Sequence, residues 1–311
     1  MNRNNIIKHV ELWKSKLGSY NKVAEKCGIS GTALSLLLSG KYGAKETAIL
    51  QTIAAALNFK ESDWQLVRTI GNYTKIMQAF NDAKQESMWF AIANKAGSGK
   101  TGTLEDVFNQ DQTGSVIFIQ AEEWSGRQFL MKIIAKTVGE ATLKGKYKTL
   151  SELTDIVTNY FNEMSFENPV ILIDEADKLK PAAFRTLIPI YNRTEDRLGL
   201  IMSGTENLEK ELKAGVRLSK KGFDEVESRI GRKYINLHGA TEKEVQQICQ
   251  ANGVSCELTQ VKIWDEIEKV KKPTIVRTQN GEKEILIEYA EDFRRLKRLI
   301  KRERLLNRNV A

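Results

Sequence analysis

The chain has 311 residues, of which 41% are hydrophobic and 28% are charged, and its formal net charge is +8. This composition excludes a disordered or collagen-like chain and predicts a globular protein of two domains, or three if one is small. The positive charge favours a polyanionic partner such as nucleic acid, with a solvated lysine-rich surface as the plainer alternative.

Three cysteines, Cys27, Cys249 and Cys256, are scattered along the chain and lack the C-x-x-C spacing of a metal site. We expect reduced, mostly buried thiols and therefore a cytoplasmic protein. Residues 1–11 lack the apolar core of a signal peptide. Because no apolar run approaches the roughly 18 residues of a membrane span, we expect no membrane contact.

Residues 4–64 carry apolar residues at helical spacing without strand-like alternation, which predicts a small all-helical domain over residues 1–66. Within it, the sequence from Tyr20 onward fits a helix-turn-helix pattern: Ala24 is small where two helices approach, and Gly28 lies at the turn. Ser30 can cap the second helix with its side chain. The pattern therefore predicts a DNA-binding module.

The second helix of this pattern would present small polar residues to DNA, and lysines flank it. Its start carries no Arg, Asn or Gln, the side chains that usually read base edges, so we expect weak contact directed mainly at the phosphate backbone. A helical module that docks another protein is the alternative. The candidate DNA-contacting residues here are Lys22, Thr32, Ser35 and Lys41.

From about residue 68, short apolar segments alternate with helical ones. Such alternation predicts an α/β fold, with a parallel sheet covered by helices on both faces, over residues 67–239. The predicted strands cover residues 88–93, 115–120, 169–173, 198–203 and 233–237, and the predicted helices include residues 125–140 and 149–164.

A glycine-rich turn follows the first predicted strand and opens a helix, which is the context of a phosphate-binding P-loop. Its backbone N–H groups would bind phosphate oxygens, Lys100 would neutralise the β- and γ-phosphates, and Thr101 would bind Mg²⁺ through its hydroxyl. Asn94 replaces the usual first glycine, and we expect it to tolerate a left-handed backbone there. A turn that binds nothing is the alternative. The predicted ATP-binding residues are Asn94, Lys95, Ala96, Gly97, Ser98, Gly99, Lys100, Thr101 and Gly102.

The third predicted strand ends in Asp174 and Glu175, at the edge of a parallel sheet where ligands bind. Asp174 would hold the Mg²⁺ shell, and Glu175 would orient or deprotonate the attacking water. The alternative is a buried strand with a polar end. Residues 174–177 also match the Asp-Glu-Ala-Asp motif of helicases, but further helicase motifs are not evident in the sequence.

The fourth predicted strand ends near Ser203 and Thr205, either of which can contact the γ-phosphate or the water; a turn with local hydroxyl bonds is the alternative. Before the fifth strand, Arg229 can stabilise transition-state charge on a neighbouring subunit's nucleotide, with Arg232 as its substitute and a solvated arginine as the alternative. The candidate catalytic residues are therefore Lys100, Glu175, Ser203 and Arg229.

Residues 240–311 are predicted to form a helical lid that ends in a basic helix. An Asn-Gly pair at residues 280–281, flanked by β-branched residues, indicates a hairpin turn within it. The basic stretch at residues 294–304 has three interpretations: a face near DNA, a docking face for a partner protein, or a plain amphipathic helix with its leucines packed inward.

These elements together resemble the AAA+ ATPase superfamily over roughly residues 68–306. Residues 94–101 match Walker A, residues 171–175 match Walker B, residues 203–205 match sensor 1, and the region of Arg229 matches the arginine finger. The resemblance implies ATP hydrolysis, with ATP and Mg²⁺ bound at the site.

The start of the last predicted helix, residues 292–298, resembles a sensor 2 helix. That resemblance makes Arg294 the residue expected to reach phosphate, with Arg295 as the alternative.

Within the superfamily, the whole chain resembles the phage Mu transposition protein B group and is similar to the TnsC and IstB transposition regulators. Its N-terminal domain resembles the lambda-repressor-like family. The resemblance implies ATP-dependent, sequence-tolerant binding of double-stranded DNA and a homo-oligomeric filament or open ring on that DNA. It also implies delivery of the DNA to a cognate transposase, which the protein activates.

In this group, the loop that carries Lys144, Lys146 and Lys148 lines the DNA path; a solvated loop is the alternative. Two rival functions stay open. One is an ATPase that serves helicase loading, replication initiation or plasmid partition. The other is a DNA-binding regulator that uses the nucleotide only as a structural ligand.

Overall fold

The computed structural model describes residues 3–43, 46–57, 59, 64–111, 113–145, 147–278 and 281–308. The chain divides into two compact units, Met1–Gln65 and Leu66–Ala311. Lys146, one of the predicted DNA contacts, lies outside the described residues, as does Asn280 of the predicted turn. None of the helices described is long and apolar enough to cross a membrane.

The first unit is built from helices around an apolar core. Ser19 and Ser30 cap its second and third helices, because their hydroxyls accept hydrogen bonds from backbone N–H groups three residues on, at 3.3 and 3.1 Å. Gly28, with φ +65°, makes the turn between these two helices. The described helices of this unit are α1 (Arg3–Leu17), α2 (Tyr20–Lys26), α3 (Gly31–Leu38) and α4 (Glu46–Ala56).

A five-stranded parallel sheet forms the centre of the second unit, with strand order β2-β3-β4-β1-β5. The predicted α/β fold is confirmed. The strands are β1 (Trp89–Ala93), β2 (Val116–Gln120), β3 (Val170–Asp174), β4 (Gly199–Gly204) and β5 (Tyr234–Ile235).

Helices cover both faces of this sheet. Along β3, Ile171 and Ile173 point to one apolar core, whereas Val170 and Leu172 point to another on the opposite face. This explains why the strand is apolar throughout rather than alternating. The helices between the strands are α5 (Gly71–Glu86), α6 (Lys100–Gln110), α7 (Gly126–Thr137), α8 (Leu150–Glu163), α9 (Pro181–Thr194), α10 (Glu206–Arg217) and α11 (Phe223–Arg229).

Residues 240–308, the segment predicted to form a lid and called the lid below, contain helices and also a long antiparallel hairpin. The hairpin pairs Lys269 with Ala290 at its base and Thr278 with Gly281 at its tip. The two strands on either side of the predicted turn therefore pair as a hairpin. The elements of the lid are α12 (Glu242–Ala251), α13 (Glu257–Glu266), β6 (Lys269–Thr278), β7 (Gly281–Ala290) and α14 (Phe293–Arg308).

Candidate active site

The loop between β1 and α6 has the backbone of a phosphate-binding turn. Gly97 and Gly99 have φ values of +89° and +90°, in the left-handed region that favours glycine. Neither position has room for a side chain. A Cβ on Gly97 would lie 2.5 Å from the Asp292 carboxylate, and one on Gly99 would lie 3.0 Å from the Phe293 ring. These glycines therefore form the turn and let the lid approach it.

Asn94 does not adopt a left-handed backbone, so the loop forms without the tolerance expected of asparagine. Its side chain has another use: Nδ2 donates to the Leu237 carbonyl at 2.6 Å, and Oδ1 accepts from the Lys95 N–H at 2.7 Å. Asparagine at this position fastens the start of the loop to the segment after β5, a link that glycine cannot make.

Lys100 is 8% exposed, and its ammonium lies inside the loop. Nζ donates to the carbonyls of Asn94 and Lys95, at 2.7 and 3.0 Å, and to Ser98 Oγ at 2.9 Å. Burial lowers the pKa of Lys100 to about 8, although the nearby Asp174 carboxylate opposes the shift. A cation held in this way can exchange carbonyl oxygens for phosphate oxygens.

Asp174 brings together side chains from three elements at the carboxyl edge of the sheet. It is 1% exposed at the end of β3. Its carboxylate accepts from Thr101 Oγ1 at 2.6 Å and from Ser203 Oγ. Carboxylate and hydroxyl oxygens are ligands that suit Mg²⁺. No cluster of three or more His, Cys, Asp or Glu that could hold a metal exists among the described residues, so a cation here would need further ligands from phosphate and water.

Glu175, the next residue, takes a left-handed conformation with φ +55° and ψ +35°. Its carboxylate forms an ion pair with Lys178 at 2.6 Å and accepts from Gln120 Nε2 at 3.4 Å. The side chain is partly exposed at the same edge as Asp174. The sequence predicted this carboxylate but neither of its two partners.

Thr205, the second candidate at the end of β4, is used locally. Its Oγ1 donates to Asp177 at 2.6 Å and its N–H to the same carboxylate at 3.2 Å, while Oγ1 also caps α10. Of the two hydroxyl candidates, Ser203 is therefore the one that contacts Asp174. Asp177 ties the end of β3 to the end of β4, a positioning role that the sequence pattern did not reveal.

The arginine-finger candidates lie at the end of α11. Arg229 donates to the Glu225 carbonyl and to Asn192 Oδ1, both at 2.7 Å, and its guanidinium lies 5.2 Å from the centre of the Tyr191 ring. Arg232 pairs with Asp224 at 2.8 Å and is more exposed. Within the part of the chain that the structure describes, neither arginine bonds to the P-loop of its own chain.

The start of α14 rests on the P-loop. Asp292 caps this helix by accepting from the backbone N–H groups of Arg294 and Arg295, at 2.9 and 3.0 Å. Phe293 N–H donates to the Gly97 carbonyl at 2.9 Å.

The two sensor 2 candidates differ in their surroundings. The positive charge of Arg294 contributes to the lowered pKa of Lys100, whereas Arg295 pairs with Glu266 at 3.4 Å. Arg294 is thus the sensor 2 candidate within electrostatic reach of the site.

The predicted DNA contacts fall in both units of the chain. In the first unit, the side chains of Lys22, Thr32, Ser35 and Lys41 are exposed, which leaves them accessible to a ligand. In the second unit, Lys144 is exposed and Lys148 is half-buried. Near Lys148, the Arg127 guanidinium lies 4.0 Å from the centre of the Tyr147 ring, and this ring is 76% exposed.

Comparison with known proteins identifies the central region. Residues 85–212 match the family model described as AAA domain. This segment contains the P-loop, Asp174, Glu175 and Ser203, so the match covers the site described above. The fold and this site define a P-loop ATPase. Over residues 85–212 the chain is therefore similar to ATPases of the AAA type.

No curated protein sequence matched the chain. Among solved structures, Cdc6p from Pyrobaculum aerophilum is 15% identical with a TM-score of 0.42, covering 61% of this chain and 52% of that one. The Aeropyrum pernix ORC1 protein in complex with DNA is 13% identical with a TM-score of 0.45, covering 77% and 61%. A Walker-type ATPase of Pyrococcus abyssi is 12% identical with a TM-score of 0.44, covering 66% and 64%. The chain spans about half the length of the first of these proteins, and similarities this distant carry no inference about function.

Proposed function

We propose that this protein is an ATP-dependent DNA-binding ATPase that assembles on duplex DNA, delivers that DNA to a transposase and activates the transposase. One observation carries the proposal: the same chain joins an AAA ATPase unit to a helix-turn-helix unit whose second helix exposes small polar side chains. The net charge of +8 supports a polyanionic ligand. The transposase part rests on the resemblance of the sequence to the transposition protein B group.

In this proposal, each residue at the edge of the sheet has a role in hydrolysis. Lys100 binds the β- and γ-phosphates, and Thr101 and Asp174 hold Mg²⁺, which neutralises phosphate charge. Glu175 orients the attacking water and takes its proton. Ser203 fixes the orientation of Asp174 from the neighbouring strand.

Two arginines supply further positive charge to the transferred phosphate. Arg294 acts from the lid of the same chain, since it lies within electrostatic reach of Lys100. Arg229 acts on the nucleotide of a neighbouring subunit, because it makes no bond to its own P-loop. A residue that completes a neighbour's site requires a head-to-tail interface, which forms rings or filaments.

Assembly on DNA is the first test. Electron microscopy with ATP and duplex DNA should show filaments or open rings along the duplex, and particles that stay monomeric would contradict the proposal. Lys100→Ala should abolish nucleotide binding and assembly together. Glu175→Gln should bind ATP without hydrolysing it and so give assemblies that persist, whereas unchanged phosphate release would favour a regulator that uses nucleotide structurally.

The mode of DNA binding is the second test. Because the exposed candidates are lysines and small hydroxyl residues, affinity should depend on phosphates and fall steeply with salt, by roughly tenfold or more between 50 and 200 mM. It should vary little with sequence. A strong preference for one sequence would instead indicate a repressor-like regulator.

The transposase is the third test. Adding this protein, ATP and target DNA to its cognate transposase should stimulate strand transfer, and Glu175→Gln should change the extent of that stimulation. An ATPase for helicase loading, replication initiation or plasmid partition would pass the assembly test and fail this one.

A further inference from the structure

Asn72 is a buried side chain that connects the P-loop with the segment leading into the lid. It is 2% exposed and lies in the first turn of α5. Its Nδ2 donates to the Ser98 carbonyl at 3.1 Å, and its Oδ1 accepts from the Gly239 N–H at 3.0 Å. A planar amide offers a donor and an acceptor on one short side chain, so both buried backbone groups are satisfied.

The segment held by Asn72 is itself paired with the last strand of the lid hairpin. Ala240 exchanges two backbone hydrogen bonds with Ala290, at 2.9 and 2.8 Å. The preceding Gly239 has φ +105°, and a Cβ there would lie 2.6 Å from the Ala290 carbonyl. The two segments therefore meet without space between them, and a displacement of one moves the other.

Three residues beyond this pairing, the lid returns to the P-loop. Phe293 N–H donates to the Gly97 carbonyl at 2.9 Å. The hydrogen bonds thus form a closed path that leaves the P-loop at Ser98, passes through Asn72 and the lid, and re-enters at Gly97. Arg294 is the next residue after Phe293, where this path re-enters the P-loop.

We propose that Asn72 is a positioning residue for ATP hydrolysis, which couples the conformation of the P-loop at Ser98 to the position of the lid and hence of Arg294. Lys100 also bonds to Ser98, through its Oγ at 2.9 Å. When phosphate oxygens compete for the ammonium, the environment of Ser98 changes, and Asn72 transmits the change to Gly239. The inference concerns ATP hydrolysis alone and holds whether or not the protein binds DNA.

Asn72→Leu removes both hydrogen bonds and keeps the number and branching of the side-chain heavy atoms. Because Asn72 is 2% exposed and both its polar groups are bonded to backbone, ATP affinity should stay within about threefold, whereas kcat should fall by about tenfold or more. Hydrogen exchange should show ATP-dependent protection of the hairpin and α14 in the unaltered protein and its loss in the variant. A kcat within about twofold of the unaltered protein, or a lower kcat with protection intact, would overturn the proposal.

Thr69→Val is the matched control. Thr69 Oγ1 bonds to Gln247 of α12 at 3.3 Å, so this variant breaks a link between the start of α5 and the lid without touching the P-loop. Its kcat and its ATP-dependent protection should both stay within about twofold of the unaltered protein. If it matches Asn72→Leu, general loosening of the lid explains the loss, and the proposal is overturned.

Asn72→Asp tests the same residue through pH, and it keeps the proposal testable if the Leu variant does not fold. A protonated carboxyl offers one donor and one acceptor, as the amide does, whereas the ionised form turns a second acceptor toward the Ser98 carbonyl. Burial favours the protonated form. The kcat of this variant relative to the unaltered protein should therefore rise as the pH falls from 8 to 6, with KM little changed. A ratio that does not change with pH would overturn the proposal.

Discussion

Lys100 is a buried cation whose charge depends on pH within the range of ordinary assays. Burial lowers its pKa to about 8, and the attraction to phosphate requires the charged form. We expect ATP affinity to fall by about tenfold between pH 7 and pH 9, because a group with this pKa is mostly neutral at pH 9. Equilibrium titration with a non-hydrolysable ATP analogue measures the effect.

Lys100→Arg provides the control for this pH dependence. A guanidinium keeps its charge throughout the range, so the affinity of this variant, although weaker, should not change with pH. If both proteins lose affinity in parallel, the titration belongs to another group or to the nucleotide, and the assignment to Lys100 is wrong.

Some residues in and around the site could be identified from local sequence pattern, and others could not. Thr101 and Asp174 were predictable, because a P-loop and a strand-end carboxylate meet wherever parallel strands share one carboxyl edge. Asn72 and the use of Asn94 were not predictable. Their hydrogen bonds join residues 167 and 143 positions apart, and neither bond produces a periodic or motif-like signal in the chain.

At the scale of elements, α12 begins with a capping box whose carboxylate also reaches outside the helix. Glu244 accepts from Thr241 N–H at 2.7 Å, from Thr241 Oγ1 at 2.9 Å and from Gly71 N–H at 2.6 Å. Glu244→Ala should lower the free energy of unfolding by about 1–2 kcal/mol, since the Gly71 N–H is exposed and can turn to water. Denaturant unfolding measures the loss.

Glu242 is the matched control for that prediction. It is an exposed acid in the same first turn and contributes to the helix dipole without these three hydrogen bonds. Glu242→Ala should cost less than about 1 kcal/mol. Equal losses in the two variants would show that the dipole, rather than the bonds of Glu244, stabilises the start of α12.

The sequence predicted the position of an element where the hydrophobic periodicity and the length of the segment indicated the same type of element. The strands β1 to β4 begin and end within one residue of their predicted bounds, because each is a short apolar run before a turn or helix. The hairpin of the lid shows the limit. The Asn-Gly pair is a local signal for a hairpin, whereas β6 carries several lysines and a proline and lacks clear alternation. The pairing of two strands was therefore predictable, but their length was not.

At the scale of the whole molecule, the order of the strands in the sheet places the residues of the site next to one another. The alternation of strands and helices along the sequence does not specify that order. Because β4 lies between β3 and β1, Ser203 is adjacent both to Asp174 and to the strand that leads into the P-loop. Arg229 is on a different part of the unit, bonded to Asn192. We therefore propose that Arg229 completes the site of another subunit.

Mixing two inactive variants tests this completion in trans. Glu175→Gln keeps Arg229 but cannot activate water, and Arg229→Ala keeps Glu175 but lacks the finger. In a head-to-tail assembly from equal parts of both, about a quarter of the interfaces join an intact Glu175 to an intact Arg229. Phosphate release should therefore recover to about a quarter of the level of the unaltered protein, although each variant alone is inactive.

The double variant Glu175→Gln, Arg229→Ala sets the baseline for this experiment. Mixed with Arg229→Ala, it supplies no finger, so hydrolysis should stay at the level of the single variants. Recovery only when Arg232→Ala replaces Arg229→Ala in the mixture with Glu175→Gln would transfer the role to Arg232, which is the more exposed of the two arginines. No recovery in either mixture would mean that the charge is supplied within one chain, and it would remove the reason to expect a head-to-tail interface.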